Sequence, residues 1–250
     1  RSGYYRDQTW MLASGLLTPE QFFAQLYGDT DIRNNPHNSG RVFNNHFSTA
    51  NTNPDGSWKN LMEQKNSSAD ISPTAGQMPR LLGLAYASKL YRNLPELNSF
   101  KNFSEGGNEV AFGSIGDAST SEGHFWETLN AASVLQVPLA LFVYDDGYGI
   151  SVPKKHQTAR QSISEAIKGL EDEYGNGIKI YKVKGWDYPA LVKTVKEGIG
   201  LCREKHKPVV FHIEEITQPL GHSTSGSHER YKRPERLQWE QDFDPIKKFK

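Results

Sequence analysis

Three observations predict an α/β fold built on a doubly wound, mostly parallel sheet with helices on both faces. Three short runs, NEVAFGSIGD, VPLALFVYDD and KPVVFHIEEI, are apolar almost throughout rather than alternating, as strands buried on both faces of a parallel sheet are. Segments with helical spacing separate them. The first two runs end in bare carboxylates, Asp117 and the pair Asp145 and Asp146, on the edge where open α/β sheets bind ligands.

The 250 residues suffice for one domain with a substantial core, and we read 1–250 as a single unit. Lys plus Arg and Asp plus Glu each total 29, so no global charge points to nucleic acid or an anionic membrane. The lone cysteine, Cys202 in GIGLCREK, excludes an internal disulfide and reads as a small core residue in a reducing compartment. No apolar run reaches the roughly 18 residues of a spanning helix, and RSGYYRDQ has no signal-peptide core. The expected location is therefore cytoplasmic, which makes the sequons at Asn66 and Asn102 chance matches. The absence of polar tails at either end fits a piece of a longer polypeptide.

Along the chain, LTPEQFFAQLYG predicts a helix from Pro19 to Tyr27, capped by Thr18 and stopped at Gly28. Residues 29–72 turn to Asn, Asp, Gly, Ser and Pro, too polar to pack and too long for an ordinary connection. Such a loop is expected to be functional or mobile. After Pro79, RLLGLAYASKLYRN reads as an amphipathic helix leading to the first strand. SEGHFWETLNAASVLQV is the helix between the first two strands, with Thr120 or Ser121 as its cap. Opening near Ser119, it would aim N–H groups at the carboxylate edge. SISEAIKGL, a strand-like IKIYKVKG and the helix YPALVKTVKEGIGLCREK follow. No internal repeat or low-complexity tract is present.

A crossover between parallel strands makes Asp117 a neighbour of Asp145 and Asp146. Carboxylates converging without a cation raise one another's pKa, and a hard divalent ion bound through oxygen relieves this. Magnesium fits best, and with few protein ligands it takes phosphate oxygens to complete its octahedron. The small residues of Gly116-Asp117-Ala118-Ser119 let a diphosphate approach the backbone. Asp117 alone reads equally well as a residue that ends a strand; the two sites together argue for a ligand.

Gly116-Asp117-Ala118, then twenty-six residues, then Asp145-Asp146 resembles the thiamine-diphosphate motif, usually Gly-Asp-Gly followed by a pair of asparagines. YYRD at Tyr4 to Asp7, SPTAGQMP at Ser72 to Pro79, TSEGHFWETLNAA, DDGYGIS and GHSTSGSHERYK extend the likeness over nearly the whole chain. In that order they are similar to the alpha part of the decarboxylating component of 2-oxo acid dehydrogenase complexes, most like the branched-chain (2-oxoisovalerate) type.

The resemblance implies that Tyr5 and Arg6 hold the diphosphate, a role suited to a guanidinium, which pairs bidentately with phosphate. It also implies that Ser72 and the backbone of Thr74 lie against the aminopyrimidine. Asp117, Asp146 and the carbonyl of Tyr148 would bind magnesium. His222 would touch the diphosphate beside the reacting carbon and assist acyl transfer, with His46 a second and weaker candidate. Taken without the resemblance, Arg6 reads as a surface ion-pair partner, Ser72 and Thr74 as turn residues, His46 as structural and His222 as a solvated loop histidine. The place of His222 just after the third apolar run, on the same edge, favours a function. GHSTSG is not a Gly-x-Ser-x-Gly elbow, because Ser225 occupies the last position.

The implied activity is oxidative decarboxylation of a branched-chain 2-oxo acid with transfer of the acyl unit to a lipoyl-bearing acyltransferase. In this family the glutamate that activates the cofactor belongs to a beta-type chain or domain, so the chain is expected to be half of an α2β2-type site. Asp146 replaces the usual Asn and adds negative charge, and Ala118 replaces Gly. Gly221 and Gly76 stand where relatives carry a His and a Thr, the latter near a potassium site, so no potassium is expected. Pyruvate dehydrogenase and a fused alpha-beta relative are close alternatives. A non-catalytic Rossmann-type nucleotide-binding regulator is the alternative from another class, although neither a Gly-x-Gly-x-x-Gly fingerprint nor a Walker loop is present. A purely structural partner subunit is a third. The stretch from about Gly221 to Tyr231 is expected to order around an anionic cofactor, and Ser223 matches a serine phosphorylated in some relatives.

Overall fold

The computed structural model describes residues 1–171, 175–223 and 227–249. In chain order the elements are α1 (Gln8–Ala13), α2 (Pro19–Leu26), α3 (Gln77–Asn93), β1 (Ala111–Gly116), α4 (Gly123–Leu135) and β2 (Leu139–Tyr144). A small ribbon follows, β3 (Tyr148–Gly149) with β4 (Val152–Pro153), then α5 (Ile163–Ala166), β5 (Lys179–Lys184), α6 (Tyr188–Lys205), β6 (Val209–Glu214), α7 (Pro234–Asp242) and α8 (Pro245–Phe249).

Strands β1, β2, β6 and β5 form a parallel sheet in that order. One face packs on α3, α4 and α5, where Met78, Leu81, Phe125, Leu129, Ile163 and Ile167 meet Ile115, Leu141, Val143 and Val210. The other face packs on α6 through Leu191, Val195, Ile199 and Cys202. On that face Phe142, Phe211 and Tyr181 are direct cross-strand neighbours. Their rings stack at 4.7 and 5.4 Å between centroids, the offset geometry that adds to area burial. The predicted doubly wound α/β class is thus the fold, with helices on both faces. No helix among the described residues is long and apolar enough to cross a membrane.

Local chemistry set several boundaries as expected. Helix α2 carries a full capping box, with Thr18 Oγ1 accepting from the Gln21 N–H and Gln21 Oε1 accepting from the Thr18 N–H. Helix α6 spans YPALVKTVKEGIGLCREK from first residue to last, capped by Asp187. Cys202 on it is buried, which pushes its thiol up to about 12. Helix α3 begins two residues before Pro79, at Gln77.

Two expectations about α4 are corrected. Neither Thr120 nor Ser121 caps it: the residue before its first turn is Glu122, without a side-chain cap. Thr120 Oγ1 instead donates to the Asp117 carbonyl and Ser121 Oγ to the Gln157 carbonyl. A 3-10 turn, Ala118–Ser121, intervenes, so α4 opens at Gly123 rather than near Ser119. The cause is local: the short side chain of Thr120 satisfies a backbone acceptor where a cap would have satisfied donors.

The long segment 29–72 has little regular structure but is ordered by polar contacts. Phe47 is buried in a small cluster with Met11 and Leu17. Asp70 Oδ2 accepts the Phe47 N–H and the Arg1 guanidinium, both at 3.0 Å. Arg1 also pairs with Asp7, whose other oxygen accepts from Ser114 on β1. Buried ions are tolerated here because each has hydrogen-bonded partners. This network fastens YYRD to the first strand.

Candidate active site

The parallel ladder places the acidic residues. Beyond the strand ends, the Asp117 N–H donates to the Tyr144 carbonyl and the Asp145 N–H to the Ile213 carbonyl, each at 2.9 Å. Asp117, Asp145 and Asp146 therefore sit together on the carboxyl edge of three adjacent strands, and all three are at least 92 % buried by relative exposures of 4 %, 1 % and 8 %. The turn after β2 is built by its own aspartates: Asp145 Oδ1 accepts the Gly147 N–H and Asp146 Oδ1 the Tyr148 N–H. Gly147 takes φ +83°, a region that glycine enters without steric cost.

The two neighbouring aspartates have different environments, which corrects the reading of bare carboxylates. Asp145 Oδ2 accepts from Lys154 Nζ at 2.7 Å and faces His212 Nε2 at 2.9 Å. Burial alone would push the Asp145 carboxyl up, but the His212 and Lys154 contacts outweigh it and hold it below the usual range. His212 in turn meets Ser164 at its other ring nitrogen. Asp117 is pushed up to about 8, first by burial, then by the charges of Asp146 and Asp145. Asp146 is raised as well, mainly by burial, against the opposing effects of the Tyr148 N–H, Lys232 and Arg236.

Asp117 and Asp146 open onto a cavity of about 860 Å³. Of the residues expected to meet the cofactor, Tyr5, Arg6, Thr74, Gly116, Asp117, Ala118, Ser119, Asp146, Tyr148 and His222 all line it. Ser72 does not: its hydroxyl meets His46 Nε2 at 2.9 Å, and His46 lies buried with its carbonyl held by Gln25. The structure thus pairs Ser72 with His46 and brings neither to the cavity wall. Residues 224–226 of the expected loop at 221–231 lie outside the described residues.

Across the cavity Arg6 donates to His222 Nδ1 and to the His222 carbonyl, both at 2.9 Å, and lies 5.2 Å from the Tyr5 ring. Arginine has only donors, so Nδ1 is the acceptor and the neutral ring carries its proton on Nε2. Burial first, then the Arg6 charge, lowers the pKa of His222. A guanidinium, an imidazole and two crowded carboxyls on one cavity are a donor set that could hold a divalent cation with an anionic oxygen ligand. The donor set fits magnesium diphosphate: a cation relieves the burial of Asp117 beside Asp146, and Arg6 faces the anion.

A family profile described as the dehydrogenase E1 component matches residues 2–250. The chain belongs to this family. It is similar to the 2-oxoisovalerate dehydrogenase subunit alpha, mitochondrial, of Caenorhabditis elegans, 30 % identical over 250 residues that cover 99 % of this chain and 49 % of that protein. The 2-oxoisovalerate dehydrogenase subunit alpha of Bacillus subtilis is 26 % identical over 97 % of this chain and 62 % of its own length. The 3-methyl-2-oxobutanoate dehydrogenase subunit alpha of Mycobacterium tuberculosis is 32 % identical over 56 % and 36 %. This E1-type chain therefore spans less than two thirds of each of these relatives, and the family its motifs resemble is the one matched.

Sequence reasoning missed two kinds of residue. Trp10, Ile150 and Ile216 form apolar wall; Trp10 lies three residues past YYRD, while Ile150 and Ile216 belong to DDGYGIS and KPVVFHIEEI, and no role was read for any of the three. Lys154, His212 and Arg236 surround the aspartate turn from 9 to 90 residues away, and no local pattern announces such pairs; Lys232, the last residue of GHSTSGSHERYK, joins them over the Tyr148 ring.

Proposed function

We propose that this chain is the alpha half of a thiamine-diphosphate-dependent 2-oxo acid dehydrogenase. It acts on a branched-chain 2-oxo acid of the 2-oxoisovalerate type and delivers the acyl unit to the lipoyl group of a partner acyltransferase. The observation that carries this reading is the convergence of Asp117, Asp146, Arg6 and His222 on one cavity. The names of the similar proteins support the substrate class.

Asp117, Asp146 and the Tyr148 carbonyl would hold magnesium, and Arg6 with Tyr5 the diphosphate, while Gly116, Ala118 and Ser119 admit it close to the backbone. Thr74 would meet the aminopyrimidine, with Ser72 behind it. When bound, the cofactor supplies a nucleophilic carbon and an electron sink for loss of carbon dioxide. His222, neutral near pH 7, can take a proton at Nδ1 once Arg6 turns to the anion, or give one from Nε2. His46, hydrogen-bonded to Ser72, holds that segment rather than the reacting atoms.

The activating glutamate would come from a beta-type chain or domain, in an α2β2-type assembly. A reducing compartment, the cytoplasm, is the proposed setting, on the strength of the single buried thiol.

Calorimetric titration with thiamine diphosphate and magnesium, against NAD as control, tests the reading. Binding of the first and not the second is expected, and Asp117→Ala should abolish it. Unchanged affinity in that variant would sink the assignment. On the complete assembly, 2-oxoisovalerate should be turned over with higher kcat/KM than pyruvate.

A further inference from the structure

Next to the aspartate turn lies a cluster of ions to which the proposed function assigns no role. Glu240 on α7 is fully buried, and its Oε1 accepts from Lys232 Nζ at 2.7 Å and from Arg236 Nε at 2.8 Å. Arg236 reaches away from this pair to donate to the Asp146 carbonyl at 2.8 Å, across 90 residues of chain. Lys232 and Arg236 lie 5.2 and 5.7 Å from the ring of Tyr148. Replacing buried ion clusters by apolar side chains of the same volume often leaves stability unchanged or raises it. Stability therefore gives a weak reason for this one.

Charge gives a better one. Asp145 has cations of its own in Lys154 and, when protonated, His212. Lys232, Arg236 and Glu240 together carry one net positive charge, the complement of Asp146, and they face the same turn. Arg236 bonds the Asp146 carbonyl and, with Lys232, lies over the Tyr148 ring, which sets both cations beside the Asp146 turn. Electrostatic effects between partly buried groups are weakly screened.

We infer that Arg236, oriented by Glu240, is a positioning residue that balances the charge of Asp146 and so sets how tightly the site takes a magnesium-bound diphosphate. The inference rests on the cofactor reading given under Proposed function. Arg236 holds the turn by its bond to the Asp146 carbonyl, and its charge lets an anion approach a carboxylate that would otherwise repel it.

The test measures the dissociation constant of thiamine diphosphate at saturating magnesium, by calorimetry on the chain assembled with its beta-type partner, with melting temperatures in parallel. Arg236→Met should weaken binding about tenfold, and Arg236→Lys, which keeps the charge, should stay within about threefold of the parent. In an Asp146→Asn background, whose amide oxygen can still ligate magnesium, Arg236→Met should cost about threefold or less. Equal losses in both backgrounds would mean that Arg236 is a tether only, and no loss in either would remove its role; each result overturns the inference. Should Arg236→Met fail to fold, Arg236→Gln carries the same comparison. If the parent protein binds no thiamine diphosphate, the cofactor reading falls first and this inference with it.

Discussion

The methyl group of Ala118 lies 2.8 Å from the point where a Cβ on residue 149 would stand, so the alanine after Asp117 and the glycine after Tyr148 are complementary. Ala118 is the residue that departs from the usual Gly of the motif. Its methyl is accommodated because the facing position lacks one. The Gln157 amide also approaches that point, at 2.5 and 2.6 Å, but it is the end of a flexible side chain and can move.

Gly149→Ala should therefore destabilise the protein by about 1–3 kcal/mol through overpacking, and Ala118→Gly should recover most of that loss in the double variant. Urea denaturation of the four proteins closes the cycle. A double variant no more stable than Gly149→Ala alone would show that Gln157, not Ala118, sets the limit.

Lys154 should be needed for folding stability more than for ligand contact. It pairs with the buried carboxylate of Asp145 while lying outside the cavity wall. Lys154→Met leaves that charge with His212 as its remaining basic side-chain partner within 4 Å among the described residues, and a loss of about 1–3 kcal/mol is expected. Thermal melting reads it. Thiamine diphosphate affinity, measured well below the melting temperature, should change less than for Asp117→Ala; an equal collapse in both would place Lys154 in the binding site.

His222 should titrate below the ordinary histidine value. Its folded-state pKa is lowered, mainly by burial and then by Arg6, so the contact with Arg6 contributes fully above the unfolded value of about 6.5. That contribution is lost as pH falls through the folded value, because a protonated ring cannot accept from a guanidinium. The imidazole NMR signals should show a midpoint below 6.5, and Arg6→Ala should move it upward. An unmoved midpoint in Arg6→Ala would mean that burial alone is responsible.

Much of the fold was legible because its signals are local. The capping box at Thr18, the continuous apolar runs of β1, β2 and β6, and the length of α6 are each written within one segment. The start of α4 was not legible, since Thr120 and Ser121 had equally good uses as caps and as partners of the Asp117 and Gln157 carbonyls. Segment 29–72 looked unable to pack, yet Asp70 and Arg1 organise it around Phe47 through bonds that span up to 69 residues.

The candidate site divides in the same way. The residue types and spacing of GDAS and DDGYGIS determined that carboxylates meet on one sheet edge, because strands with a parallel crossover end on the same side. Which of two consecutive aspartates faces the cavity is not fixed by residue type or spacing, although the resemblance singled out Asp146; the physical reason lies in the tertiary structure. Asp145 turns to Lys154 and to His212, 67 residues on, while Asp146 faces the cavity with Asp117. Periodicity carries no information past the last residue of a strand, and the choice is made by cations that only the folded chain brings within reach.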